Sequence, residues 1–191
     1  MNLQRAILDA SLELISRRGI GALSMREVAR RLGVTHGAPY HHFRDRSAIL
    51  AALTEEGFQR LEQDLRAAAA RSEDPRERFE ALGRAYVAFA VSQTAYFRLM
   101  FRPELAGKRK HAGIERSSAR AFGVLEEVVA QCQAAGYGRG IAAEALALTG
   151  WTASHGLAAL CVDGQLSAES PAALARVMSA TLGKLLRPAS R

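Results

Sequence analysis

The run SMREVARRLGV, residues 24–34, constrains the fold more than any other stretch of the chain. Ser24 and Glu27 have the spacing of a capping box, in which the serine hydroxyl accepts from the Glu27 amide and the Glu27 carboxylate reaches back. Gly33 supplies the stop, because a helix often ends on a left-handed residue and glycine takes that conformation freely. A second short helix is expected from residue 35 or 36 to about 43. Two short helices joined by a tight glycine turn form a helix-turn-helix. The side chains suit that packing: Ala29 is small at the crossing, and Val28, Leu32 and Val34 make an apolar wedge.

The same signals recur along the chain. Leu3, Ile7, Ala10, Leu14 and Ile15 share one face of a helix over residues 3–18, closed by Gly19. Asp45 caps a long helix over about 46–71. Asp74, Pro75 and Glu77 supply cap, first-turn proline and box glutamate for a helix ending near residue 93. Thr94 opens a short helix to Phe101, and residues 103–110 read as a basic loop. Helices follow over about 111–135 and up to Val162, separated by a loop holding Gly136, Gly138 and Gly140. Ser170 and Pro171 start a last helix, which stops before Pro188. Period-two alternation and β-branched runs of strand length are missing. An all-α chain of about nine helices is therefore expected. Its 191 residues, 49% apolar, suit one compact unit or two packed lobes.

Charge narrows the partner. The net charge is +7, and residues 1–50 hold eight basic against four acidic side chains. That balance suggests a polyanion. Ser24, Arg26, Thr35, His36, Tyr40, His41 and Arg46 are residue types that hold phosphates, and they flank the second short helix. Gly37 and Ala38 have almost no side chain, so backbone can approach a groove floor, and Ala38 can touch a thymine methyl. Pro39 falls in the first turn, where amides lack intrahelical acceptors, and stiffens the segment. Phe43 is expected to plug this segment onto the first helix.

Residues 7–53, ILDASLELISRRGIGALSMREVARRLGVTHGAPYHHFRDRSAILAAL, resemble the DNA-binding domain of TetR-type transcriptional regulators. The likeness rests on the apolar first helix, Ser24, Val28-Ala29, Gly33-Val34, Tyr40, His42-Phe43 and the basic Arg46. It implies backbone contacts to DNA from Tyr40 and His42, with Arg46 closing the interaction from the next helix. Pro39 and Arg46 depart from the commoner aliphatic and lysine residues, so base specificity does not carry over. Residues 1–48 are then a helix-turn-helix DNA-binding domain, and 49–191 a helical regulatory and dimerisation domain. Trp151, His155 and Gly156 resemble the Trp-His-Gly motif of one subgroup of regulatory domains. The resemblance also implies that the last two helices, rich in Ala158, Leu160, Leu174, Val177, Met178, Leu182 and Leu185, pair with their copies across a two-fold axis. A homodimeric repressor, released from a palindromic operator by a small molecule, is the implied function.

Phe89, Phe97, Met100, Phe101, Phe122, Trp151 and His155 are the residues expected around an effector pocket. Trp151 and His155 share a helix face, and either lines that pocket or is buried structure with the imidazole bonded to a backbone carbonyl. His36, His41 and His42 lack the i, i+4 spacing of a metal pair, so neither metal nor cofactor is expected. Gly136, Gly138 and Gly140 read as a plain interhelical loop. Cys132 and Cys161 read as buried, reduced thiols of a cytoplasmic protein. No leader-like segment is visible, and residues 143–162, apolar but holding Glu144 and His155, read as a buried helix. The alternatives are a non-specific architectural DNA binder and an all-α enzyme, but no nucleophile elbow or paired-carboxylate motif favours the enzyme.

Overall fold

The computed structural model describes residues 2–101, 111–166 and 170–186. Among these residues there are eight α-helices, two 3-10 segments and no strand. The helices are α1 (Leu3–Arg18), α2 (Met25–Leu32), α3 (Arg46–Ala69), α4 (Pro75–Ser92), α5 (Thr94–Met100), α6 (Ala112–Ala134), α7 (Ala143–Val162) and α8 (Pro171–Leu185). The 3-10 segments are Ile20–Ala22 and Ala38–His41. The basic loop over residues 103–110 and the stop at Pro188 lie outside the described residues.

The chain divides into two compact units: Met1–Phe58 with Thr94–Glu115, and Gln59–Gln93 with Arg116–Arg191. In the first, Ile7, Leu14, Val28, Ala29, Phe43, Ile49, Leu53 and Leu99 are buried, and each large apolar side chain contributes about 1.5–3 kcal/mol. Helix α1 packs on α2 and on α5. Arg5 of α1 forms a two-pronged pair with Glu56 of α3, at 2.9 and 3.0 Å, and also pairs with Asp9.

In the second unit, α4 packs against α7 and α8. Gly83 of α4 permits that crossing: a Cβ there would stand 2.8 Å from Ser179 Oγ and 3.4 Å from Ser154 Oγ. Gly150 likewise faces the Phe79 ring, where an added Cβ would come within 3.0 Å. Gly156 faces open space. The predicted burial of residues 143–162 holds for one face only. This is the one helix among the described residues long and apolar enough to cross a membrane, and 28% of its apolar window is buried.

The caps form with altered partners. Asp74 accepts from the Arg76 amide, but the Glu77 carboxylate takes the Ser72 hydroxyl at 2.6 Å, and Ser72 Oγ accepts from the Asp74 amide at 3.1 Å. Cys132 is fully buried and donates to the Pro75 carbonyl, whereas Cys161 is half-buried rather than enclosed. Gly136, Gly138 and Gly140 all have positive φ and form the loop between α6 and α7.

Candidate nucleic-acid interface and regulatory core

The candidate interface comprises residues 24–46, one local stretch of sequence. Ser24 Oγ accepts from the Glu27 amide at 3.1 Å and starts α2. The second half of the box is replaced. The Glu27 carboxylate is held by Arg30 at 2.7 and 2.9 Å and by Arg18 at 3.5 Å, because charge-assisted bonds outcompete a neutral amide. Arg30 holds that carboxyl below the usual range. Gly33 ends α2 in the left-handed region, at φ 66°.

The expected α-helix from residue 35 or 36 to 43 is instead a turn followed by the 3-10 segment Ala38–His41. The cause is Pro39. It has no N–H to give to the Thr35 carbonyl, and its ring crowds that carbonyl. The chain therefore closes shorter turns: the Ala38 amide donates to Thr35, Tyr40 to Gly37 and His42 to Pro39, at 3.0–3.1 Å. Pro39 and Phe43 are buried, so the segment is anchored from below.

Of the residues expected at the DNA surface, Ser24, Arg26, Thr35, His36, Gly37, Tyr40, His41, His42 and Arg46 are exposed, and Ala38 is half-buried. The His36 and Tyr40 rings lie 5.9 Å apart. Arg46 Nη2 donates to the Ile20 carbonyl at 2.7 Å, tying the start of α3 to the turn after α1. Sequence spacing gave no sign of that tether, since its partners are 26 positions apart. Asp45 accepts from the Ala48 amide and caps α3.

The expected effector residues fall in both units. Phe97, Met100 and Phe101 belong to the first. There Phe101 packs against Phe97 and Phe58, with ring centroids 5.4 and 5.8 Å apart. Phe89, Phe122, Trp151 and His155 belong to the second. Phe89 is buried, 2% exposed. Phe122, Trp151 and His155 form a half-buried row, with successive centroids 6.0 and 5.9 Å apart. A cavity of about 110 Å³ in the first unit lies between Ile15, Gly19 and Ile20 and the α5 residues Thr94, Arg98 and Leu99. None of the expected effector residues lines it.

His155 is bonded to a residue that the sequence did not single out. Its Nδ1 meets the Tyr86 hydroxyl at 2.9 Å. Nothing local marks Tyr86, which occupies an ordinary core position of α4. Burial pushes the Tyr86 phenol up, against an opposing hydrogen bond from Trp151. Burial also holds the His155 imidazole below the ordinary value of 6.5. The unfolded chain therefore takes the proton first as pH falls. The contribution of neutral His155 is fully present above about pH 6.5 and is lost as pH drops through the folded value. Urea unfolding across pH should show this decline, and His155→Gln should flatten it. An equally steep decline in that variant would assign the effect to another group.

These features define a helix-turn-helix protein with a helical C-terminal unit. Residues 7–53 match the family described as bacterial regulatory proteins, tetR family, and residues 79–182 match the Tetracyclin repressor-like, C-terminal domain. The transcriptional regulator BetI of Brucella anthropi is 33% identical over 92 residues, which is 48% of this chain and 46% of BetI. The chain spans about half the length of the curated relatives it matches. A protein of unknown function from Rhodococcus sp. RHA1 has a TM-score of 0.88 at 32% identity, covering 97% of this chain and 96% of that one. AibR, solved with isovaleryl coenzyme A and operator DNA, has a TM-score of 0.72 at 20% identity, covering 97% and 98%. At that identity the likeness to AibR is one of fold. The chain belongs to the TetR family of bacterial transcriptional regulators.

Proposed function

We propose that the protein is a homodimeric repressor that binds a palindromic operator and leaves it when a small molecule binds the C-terminal domain. The observation that carries this reading is the proline-stiffened segment 35–42, held by the buried Pro39 while its polar residues face solvent. Residues 1–48 read the DNA, and residues 49–191 dimerise and respond to the effector. Two copies about 34 Å apart fit successive major grooves. Gly37 and Ala38 approach base edges, while Ser24, Arg26, Thr35, His36, Tyr40, His41, His42 and Arg46 hold phosphates.

The dimer forms through α7 and α8. Leu148, Leu160 and Val177 on these helices are large, apolar and exposed in the single chain. Such a surface calls for a partner. Trp151, His155 and Gly156 support membership in the Trp-His-Gly subgroup, and Phe122, Trp151 and His155 form one wall of the effector site, backed by Tyr86. AibR, which shares the fold and was solved in complex with isovaleryl coenzyme A and operator DNA, supports a small-molecule effector for a DNA-binding protein of this fold. The effector must favour a state whose reading segments no longer match the groove spacing. Helix α3 contributes residues to both units and is the proposed carrier of that change. A regulator of bacterial operators works in the cytoplasm.

Selection of duplexes from a random pool tests the reading, and a palindromic winner is the expected result. Equal retention of all duplexes would replace it with non-specific architectural binding. For the selected duplex, Arg46→Ala should weaken binding and flatten the salt dependence by about one unit per subunit, with the preferred sequence unchanged. A wild-type slope would show that Arg46 serves only its tether to the Ile20 carbonyl.

A further inference from the structure

The reading segment concentrates an unusual residue. Three of the chain's five histidines, His36, His41 and His42, fall within it, and all three are exposed. We propose that operator binding is coupled to proton uptake by these histidines, so that the protein grips DNA more tightly as pH falls from 8 towards 6. The inference rests on the reading of residues 35–42 as the DNA-contacting segment.

The physical argument is one of linkage. Imidazole is the side chain that changes charge between pH 5 and 8. A nearby phosphate favours the imidazolium, through charge and through an added N–H donor. Any group that takes up a proton on binding makes the affinity pH-dependent by the same amount. Neither phosphodiesters nor guanidinium groups change charge in this range, so the DNA and the arginines contribute no competing slope.

The neighbouring groups do not mask the effect. Helix α2, packed against the 3-10 segment, brings Arg26, Glu27, Arg30 and Arg31. The following turn brings Arg44, Asp45 and Arg46. Tyr40 is the remaining titratable group within the segment, beside His36. From α1, Glu13 is paired with Arg17 and Arg31, and Arg18 with Glu27. The acids of α2 and of the following turn are already engaged, Glu27 by Arg30 and Asp45 by the Ala48 amide and Arg44. Both are held below the usual carboxylate range, so both stay charged throughout the window. Among the described residues of α2 and the following turn, both carboxylates are thus engaged and do not compete with phosphate for the imidazolium, and the exposed imidazoles have room to turn towards it.

The test is the affinity of the full-length protein for its selected duplex at about pH 6 and about pH 8, at constant ionic strength, with folding checked by circular dichroism at each pH. Affinity should rise by roughly tenfold or more towards the lower pH. Calorimetry in buffers of different ionisation enthalpy should read net proton uptake near neutrality. The variant carrying His36→Gln, His41→Gln and His42→Gln should lose most of both signals. Equal wild-type affinity at the two pH values overturns the inference and leaves the DNA-binding reading standing. So does a pH response that survives intact in the triple variant. Failure to bind any duplex at either pH overturns both.

Discussion

A chain carrying Val177→Glu and Leu148→Glu should sediment as a monomer and lose at least about a hundredfold in operator affinity. In the single chain Val177 is 64% exposed and Leu148 54% exposed. Neither contributes much to the fold of one protomer, so the variant should keep its helicity and most of its thermal stability. In the proposed dimer the same positions are enclosed by a second copy. Two carboxylates from each copy would then lose water without gaining cations, at a cost of several kcal/mol. The DNA consequence follows from valency. A dimer presents two reading segments on one frame, and the second contact is made at high effective concentration. Losing that linkage costs roughly 10²–10⁴ in affinity with no change at the protein–DNA surface. Analytical ultracentrifugation and a binding titration with the selected duplex would check both halves. A variant that remains dimeric would move the interface elsewhere on the molecule.

Phe89→Ala should destabilise the protein by about 3–5 kcal/mol, the range for truncating an enclosed phenylalanine. Phe89 is 2% exposed and stands in α4, the helix that packs against α7 and α8. The sequence places it among the residues expected around an effector pocket, and the size of the loss separates that role from plain core. A ring that borders an open, water-accessible pocket loses little when shortened. A ring packed on all sides leaves a void that its neighbours fill only in part. Urea unfolding of the variant beside the wild type reads the difference. A loss below about 1 kcal/mol would favour the pocket.

The extent to which the fold and the candidate site were legible follows the range of the interactions involved. Ser24, Asp45, Asp74 and Ser170 are caps, and a cap acts within three residues of itself, so helix starts could be read from spacing. The candidate interface draws on local sequence for the same reason, since Ser24 to Arg46 is almost one continuous run. What the sequence obscured there was the winding of residues 38–41. Pro39 was recognised, but its lost amide and ring crowding shorten the whole segment to a 3-10 turn rather than stiffening an α-helix. Glu27 and Glu77 took partners other than those of a capping box because Arg30 and Ser72 compete for them within reach. The core around His155 was harder still. Tyr86, Phe122 and Trp151 come from three different helices, and no periodicity in one helix announces its neighbours in another. Cys161 is only half-buried because apolar neighbours in sequence do not ensure enclosure in space, and α7 has an uncovered face.

The anchoring of the reading segment has a consequence for how such a regulator diversifies. Gly33, Pro39 and Phe43 set the path of the backbone, whereas Thr35, His36 and Gly37 are exposed to solvent. Frame and lettering are interleaved along the chain yet share no residue. Descendants of one ancestral gene could then exchange the letters and acquire new target promoters without passing through misfolded intermediates.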